Sequence, residues 1–178
     1  SFLNNYCKEK KLSLFVKPHP GINYKNIFKK FKNKRIKFIV PKNISMNLNK
    51  KIYDKTFFDE DLNKIIQKSK VIINFHSTTS LDAIYYLKPV INLSLRKENH
   101  WLYEIPYYKF VLGFNAISIA NTSMKLKILL NRYLGNPKMN YNNRIKLKKY
   151  YFGKYNPYSG KLMSDIINLG SLDNGIDP

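Results

Sequence analysis

The sequence predicts an α/β fold built on a doubly wound parallel sheet. Short apolar runs of strand length alternate with segments whose apolar residues have helical spacing. Residues 71–75 are almost continuously apolar, as expected of a strand that helices cover on both faces. Strands and helices that alternate in this way are typical of right-handed βαβ units, which produce parallel sheets.

Each predicted strand is a short apolar run bounded by polar residues, glycine or proline. The strands are predicted at residues 12–16, 36–40, 71–75, 89–93 and 116–120. Pro41 ends the second run, and Pro89 stands at the first position of the fourth, where a missing amide is tolerated.

The predicted helices lie between and after these strands, and residues 94–114 are expected to be irregular. Residues 1–7 have the pattern of the end of a helix, so we expect the chain to be the second half of a larger protein. The other helices are predicted at residues 24–31, 59–69, 78–87, 122–134, 142–151 and 160–169. In the helix capped by Asn121 or Thr122, the side chains expected to face inward are Met124, Ile128, Leu129 and Tyr133.

The length and composition favour one folded domain. With 178 residues, 44% of them hydrophobic and 15% aromatic, the chain can bury a sizeable core. We expect residues 1–170 to form that domain and residues 171–178 to be a loose tail.

The chain is strongly basic, with a formal charge of +21 from 32 basic and 11 acidic residues. Such a charge attracts nucleic acid, anionic lipid headgroups or phosphorylated substrates. Most of the basic residues are lysines, and the abundance of Lys, Asn and Ile fits an AT-rich genome. Because arginine is the preferred residue for bidentate base and phosphate recognition, we expect no nucleic-acid partner. A peripheral contact with an anionic membrane surface stays open.

The sequence offers no pattern for a metal or cofactor site. Cys7 is the only cysteine, and His76 and His100 have no ligand spacing with it, so we expect no metal and no cofactor. A single unpaired cysteine fits a reducing compartment. We therefore expect a cytoplasmic location, with a possible attachment to the inner face of the membrane.

Two loops carry the residues that suggest a binding site. Lys17-Pro18-His19-Pro20 follows the first predicted strand, and the segment from His76 to Ala83 follows the third. Open α/β sheets bind their ligands past the carboxyl ends of the strands, which is where both loops lie. The chain has no Gly-x-Gly-x-x-Gly and no Walker A sequence, so the ordinary dinucleotide-binding and P-loop interpretations lose support.

His19 lies between two prolines, which stiffen the loop that carries it. An imidazole fixed in this way can donate a hydrogen bond to a phosphate oxygen or offset the charge on a leaving phosphate. The alternative is a structural role, in which the ring bonds to a backbone carbonyl at the strand end.

The second loop has four consecutive hydroxyl residues where a helix is predicted to begin, followed closely by an acid. At least one hydroxyl is expected to cap the helix, and the others, with the backbone amides, can bind a phosphate. Asp82 can accept from ribose hydroxyls or complement the helix dipole. The hydroxyl residues are Ser77, Thr78, Thr79 and Ser80.

These loops, together with Leu87-Lys88-Pro89-Val90-Ile91, resemble the C-terminal donor-binding domain of GT-B glycosyltransferases. The pattern is similar to that of bacterial capsule and surface-polysaccharide enzymes. These include sialyl and Kdo transferases with a His-Pro motif and CDP-glycerol glycerophosphotransferases. The resemblance implies a Rossmann-like domain that forms one half of a GT-B architecture. Many relatives have Gly where this chain has Leu87, and Glu where it has Asp82.

The resemblance implies a role for each matched residue. His19, as catalytic and donor-binding residue, and Pro20 would contact the donor phosphate. The hydroxyl residues Ser77, Thr78, Thr79 and Ser80 would contact the donor nucleotide and its phosphate, and Asp82 the ribose. The catalytic base of such enzymes usually belongs to the N-terminal domain, so this chain alone is expected to lack it.

The function expected from this resemblance is transfer of a sugar or glycerol phosphate from a nucleotide-activated donor, CMP-, CDP- or UDP-linked. The acceptor would be a glycan or a lipid-linked glycan of the bacterial capsule or surface polysaccharide. Two alternatives stay open. One is an enzyme similar to UDP-N-acetylglucosamine 2-epimerase, and the other is a non-enzymatic basic module that binds nucleic acid.

Overall fold

The computed structural model describes residues 2–19, 36–39, 57–58, 62–75, 77–95 and 104–153. The helices of these segments are α1 (Phe2–Glu9), α2 (Leu62–Lys68), α3 (Thr79–Tyr85), α4 (Pro106–Gly113), α5 (Ser123–Gly135) and α6 (Tyr141–Phe152). The strands are β1 (Leu14–Val16), β2 (Ile36–Ile39), β3 (Phe57–Phe58), β4 (Ile72–Asn74), β5 (Val90–Leu93) and β6 (Ile117–Ala120).

Every strand pairing in the described segments is parallel, which confirms the predicted class of α/β fold. The strands form two three-stranded sheets, with the orders β1-β2-β3 and β4-β5-β6. In the second sheet, Ile73 lies opposite Ile91 and Asn74 opposite Asn92. No backbone pairing joins the two sheets within the described residues, so the structure has two open sheets where the sequence predicted one.

The strand orders nevertheless match the two halves of a doubly wound sheet. Read outward from β1 and from β4, they run 1-2-3 and 4-5-6. The common nucleotide-binding order is 3-2-1-4-5-6, in which β1 and β4 are the strands at which the order reverses. The two loops singled out from the sequence follow these two strands.

Helices cover both faces of the second sheet, as the apolar strand sequences predicted. One buried cluster contains Ile91 and Leu93 of β5 and lies under α1 and α5. The other contains Val90 of β5 and Ile117 of β6, and lies under α2, α3, α4 and α6. Successive strand residues enter opposite clusters because side chains alternate across a strand.

The first helix belongs to the core of the second sheet, although it precedes β1 in the chain. The Tyr6 hydroxyl donates to Asn131 Oδ1 of α5 at 2.7 Å. Leu12, just before β1, packs on the same cluster as Val71 and Ile73, which flank and enter β4. Residues at the start of β1 and of β4 therefore pack against the same hydrophobic cluster.

One prediction about the helices was wrong, and another was right only in part. Residues 94–114, predicted to be irregular, contain α4, which begins with Pro106 at its first turn and buries Val111. Proline suits that position because its missing amide has no helical partner there. In α5, Leu129 and Tyr133 face inward as predicted, but Met124 is 68% exposed and Ile128 is exposed as well. The inward stripe is Leu126, Leu129, Leu130 and Tyr133.

The remaining predictions divide into those that the structure tests and those outside the described residues. Thr122 caps α5 as predicted, since its hydroxyl accepts from the Lys125 amide at 3.0 Å. β3 was not predicted, and two residues are too few to give a periodic signal. The predicted helices at residues 24–31 and 160–169, the acidic first turn at residues 59–61 and the tail all lie outside the described residues.

Arg144 of α6 is fully buried and is bonded to carbonyl oxygens. Its Nε donates to Leu87 O at 2.9 Å, Nη1 to Met139 O at 2.6 Å and Nη2 to Pro137 O at 2.7 Å. Loss of water around the guanidinium lowers the pKa of Arg144. The guanidinium fork therefore joins α6 to the turn before it and to the end of α3.

The end of α3 has an unusual backbone at Leu87. This residue has a φ of 55°, in the left-handed region that favours glycine. The Leu87 amide donates to Ile84 O, and the Lys88 amide donates to Ala83 O, each at 2.9 Å. These bonds form a Schellman turn, which normally has glycine at this position. The requirement for a left-handed residue explains why glycine is suited to the place of Leu87.

We predict that Arg144→Met lowers the free energy of unfolding by about 2–4 kcal/mol, because it leaves three carbonyls without donors. Urea denaturation of the full chain measures this change. The matched control is Arg132→Met on the exposed side of α5, expected to shift stability by about 0.5 kcal/mol or less. Equal effects of the two substitutions would contradict the role of Arg144.

Burial raises the pKa of the Cys7 thiol. Because only the thiolate reacts, we predict that Cys7 reacts with Ellman's reagent about 100-fold more slowly in the native chain than in urea at pH 8. A raised native pKa also means that the neutral thiol contributes stability below its unfolded pKa, and that this contribution is lost as pH rises through the native pKa. Equally fast reaction in buffer and in urea would show that Cys7 is not buried.

Candidate functional site

The hydroxyl residues Ser77 to Ser80 lie where β4 ends and α3 begins, as predicted. β4 ends at Asn74 and α3 begins at Thr79, so the segment occupies the carboxyl edge of the second sheet. Ser77 and Thr79 are partly buried, Thr78 is exposed and Ser80 is buried. The four hydroxyls therefore lie in different surroundings and make different hydrogen bonds.

Ser77 bonds to the first residue of α3, whereas Thr78, at the N-cap position, makes no side-chain cap bond. Its Oγ accepts from the Thr79 amide at 3.2 Å and donates to Thr79 Oγ1 at 3.0 Å. The Ser80 amide donates to Ser77 O at 2.9 Å, and the Leu81 amide donates to Thr78 O at 2.8 Å. Because these amides have partners within the chain, the groups best placed to meet a ligand here are the hydroxyls, above all that of Thr78.

Ser80 links α3 to two strands of the sheet. Its Oγ accepts from Asn74 Nδ2 at 2.9 Å and lies 3.1 Å from Asn92 Oδ1, to which it donates. Asn74 and Asn92 are opposite each other in β4 and β5, and Asn92 is almost fully buried. A buried polar cluster is stable only when its members are paired, so Ser80 holds the helix start in place.

Asp82 lies in the first turn of α3 and is partly buried. A carboxylate there is favoured by the partial positive charge at the start of a helix. Its backbone carbonyl accepts from the Tyr86 amide, which continues the helix past it. The position is compatible with either role predicted for Asp82, ribose binding or dipole complementarity.

The His-Pro loop follows β1 at the edge of the first sheet. Pro18 is buried, whereas Lys17 and His19 are exposed. The buried proline anchors the loop, so the imidazole is presented at the surface from a restrained backbone. Pro20 lies outside the described residues. His19 thus belongs to the first sheet, and the hydroxyl segment belongs to the second.

The two asparagines were not identified from the sequence, although a signal was present. Asparagine is depleted in strands, and here it interrupts two apolar runs at the same place, after Ile73 and after Ile91. The parallel register places these matching Ile-Asn pairs side by side. Two identical interruptions at the carboxyl ends of adjacent strands are the pattern that would have revealed the cluster.

Within the segments described, no group of three or more His, Cys, Asp or Glu side chains is arranged to hold a metal ion. In the same segments, no helix has the length and apolar character needed to cross a bilayer. Searches against protein-family models, curated proteins and solved structures gave no match.

We predict that Ser80→Ala lowers the free energy of unfolding by about 1–3 kcal/mol, because Asn92 Oδ1 loses its donor in a buried site. The matched control is Thr78→Ala, which removes an exposed hydroxyl from the same segment and is expected to leave stability almost unchanged. Thermal unfolding followed by circular dichroism compares the two. A smaller effect at Ser80 than at Thr78 would contradict the anchoring role.

Proposed function

We propose that this chain is the donor-binding domain of a glycosyltransferase or glycerophosphotransferase of the GT-B type, acting in bacterial surface-polysaccharide synthesis. The observation that carries the proposal is the placement of the two loops. They follow β1 and β4, the first strands of the two parallel sheets. In a doubly wound sheet of order 3-2-1-4-5-6 these are the strands at which the order reverses, and ligands bind at that reversal, which supports the proposal.

The proposed ligand is a nucleotide-activated sugar or glycerol with a CMP, CDP or UDP carrier. The exposed Thr78 hydroxyl and the Ser77–Thr79 pair supply hydrogen-bonding groups for phosphate oxygens. Asp82, one turn further on, supplies a carboxylate for ribose hydroxyls. The basic chain favours the approach of a polyanionic donor.

His19 is proposed to be the catalytic residue of this domain. An imidazole N–H that donates to the departing phosphate stabilises the charge that develops as the bond to the transferred group breaks. The acceptor and the base that activates it would come from elsewhere in the enzyme. In this proposal the domain contributes donor binding, orientation and stabilisation of the leaving group.

Calorimetric titration of the full 178-residue chain with CMP, CDP and UDP tests the proposal. We expect at least one of them to bind, and His19→Ala and Thr78→Val each to weaken binding about tenfold, equivalent to about 1.4 kcal/mol. The matched control is Ser123→Ala, which removes an exposed hydroxyl from the first turn of α5, after β6, and is expected to keep the affinity.

The same experiment separates the alternatives. If no nucleotide binds, and DNA binds with an affinity that falls steeply with salt, the chain is a basic nucleic-acid module and the donor-binding proposal is wrong. If UDP-N-acetylglucosamine binds and is converted into its C2 epimer by the full chain, the epimerase alternative replaces it.

A further inference from the structure

The packing of α6 against α4 leaves a cluster of aromatic rings at the surface, which we call the aromatic face. It consists of Phe110 of α4, Phe114 directly after α4, and Tyr150 of α6. The ring centroids are 4.9 Å apart for Phe110 and Tyr150, 5.4 Å for Phe110 and Phe114, and 5.6 Å for Phe114 and Tyr150. Phe110 is nevertheless 45% exposed, and Tyr150 is 61% exposed. Contiguous exposed rings of this kind mark binding surfaces more often than isolated apolar residues do.

The surroundings of the aromatic face are basic. Lys146, one helical turn before Tyr150, and Lys149 are both exposed on α6, beside the exposed Ile145. The sequence has no Asp or Glu from Ile105 to Ser164. Glu104, just before α4, is paired with Lys109 at 2.7 Å, so its charge is offset beside Phe110.

We propose that the aromatic face binds the surface of an anionic lipid bilayer. Phenylalanine and tyrosine rings are favoured at the boundary between headgroups and acyl chains, and lysines beside them are attracted to anionic headgroups. Charge complementarity selects this occupant, because exposed apolar rings beside a lysine-rich sequence with few unpaired acids match both properties of such a bilayer. Lys146 and Lys149 are exposed, and the one acid beside the rings, Glu104, is paired with Lys109. This binding is independent of the nucleotide site proposed above.

The geometry favours lipid over single-stranded nucleic acid. Nucleic-acid platforms present ring faces on which bases stack, often with arginine beside them. Here the rings pack edge-on or tilted against each other, with interplanar angles of 50° to 78°. The arginine of α6, Arg144, is buried and bonded to backbone carbonyls.

Co-sedimentation of the full chain with lipid vesicles tests the proposal. We expect binding to phosphatidylcholine vesicles that contain about one-third phosphatidylglycerol, and little binding to phosphatidylcholine alone. The double substitution Phe110→Ser and Tyr150→Ser should weaken binding about tenfold or more, because it removes the rings that enter the interface.

A second variant leaves the rings in place and changes only charge. Lys146→Gln with Lys149→Gln should also weaken binding about tenfold or more, since each lysine near an anionic surface contributes several-fold. The matched control is Lys125→Gln with Lys127→Gln, the same change of charge at exposed positions of α5, on the opposite face of the second sheet. This control should bind nearly as tightly as the parent chain.

Three results would overturn the proposal. The ring variant, with an unchanged circular dichroism spectrum, could bind as tightly as the parent chain. The α5 control could lose as much affinity as the α6 variant, which would show that the overall charge and not the aromatic face is recognised. A single-stranded oligonucleotide could bind through the rings while vesicles do not bind, which would assign the face to nucleic acid.

Discussion

The arrangement of α3, α6 and the turn before α6 depends on the hydrogen bonds of the buried Arg144 guanidinium. A buried guanidinium must be given hydrogen-bond acceptors, and here they are carbonyls from the end of α3 and from the turn before α6. No carboxylate is involved in these bonds, so the positions of the two segments are fixed by the directions of backbone oxygens. Ser80 fixes the other end of α3 to the sheet. The short helix that follows the hydroxyl segment is thus held at both ends.

The strands of the second sheet could be predicted from the sequence because burial on both faces demands continuous apolar runs. The helices were harder to predict where tertiary packing determines which face is buried or whether a helix forms. In α5 the sequence allows more than one apolar stripe, and Leu126, Leu129 and Leu130 face inward because they meet the cluster around Ile91. The aromatic sequence of α4 has weak helix propensity, and its helix is stabilised by burial of Val111.

The candidate site was predicted in part. A run of hydroxyls after an apolar strand indicated a helix start, and the structure confirms one. The division of tasks among them could not be predicted, since it depends on the register that places Asn74 beside Asn92 and within reach of Ser80. The same holds for Leu87, whose left-handed backbone follows from the turn that it must make before β5.

The position of α1 has a consequence for the order of folding during synthesis. Tyr6 bonds to Asn131, which is 125 residues later in the chain. At about 5–20 residues per second, α1 leaves the ribosome on the order of ten seconds before its partner helix exists. During that time the apolar side chains of Phe2, Leu3 and Tyr6 have no α5 to cover them, so α1 stays exposed until residues 123–135 have been made.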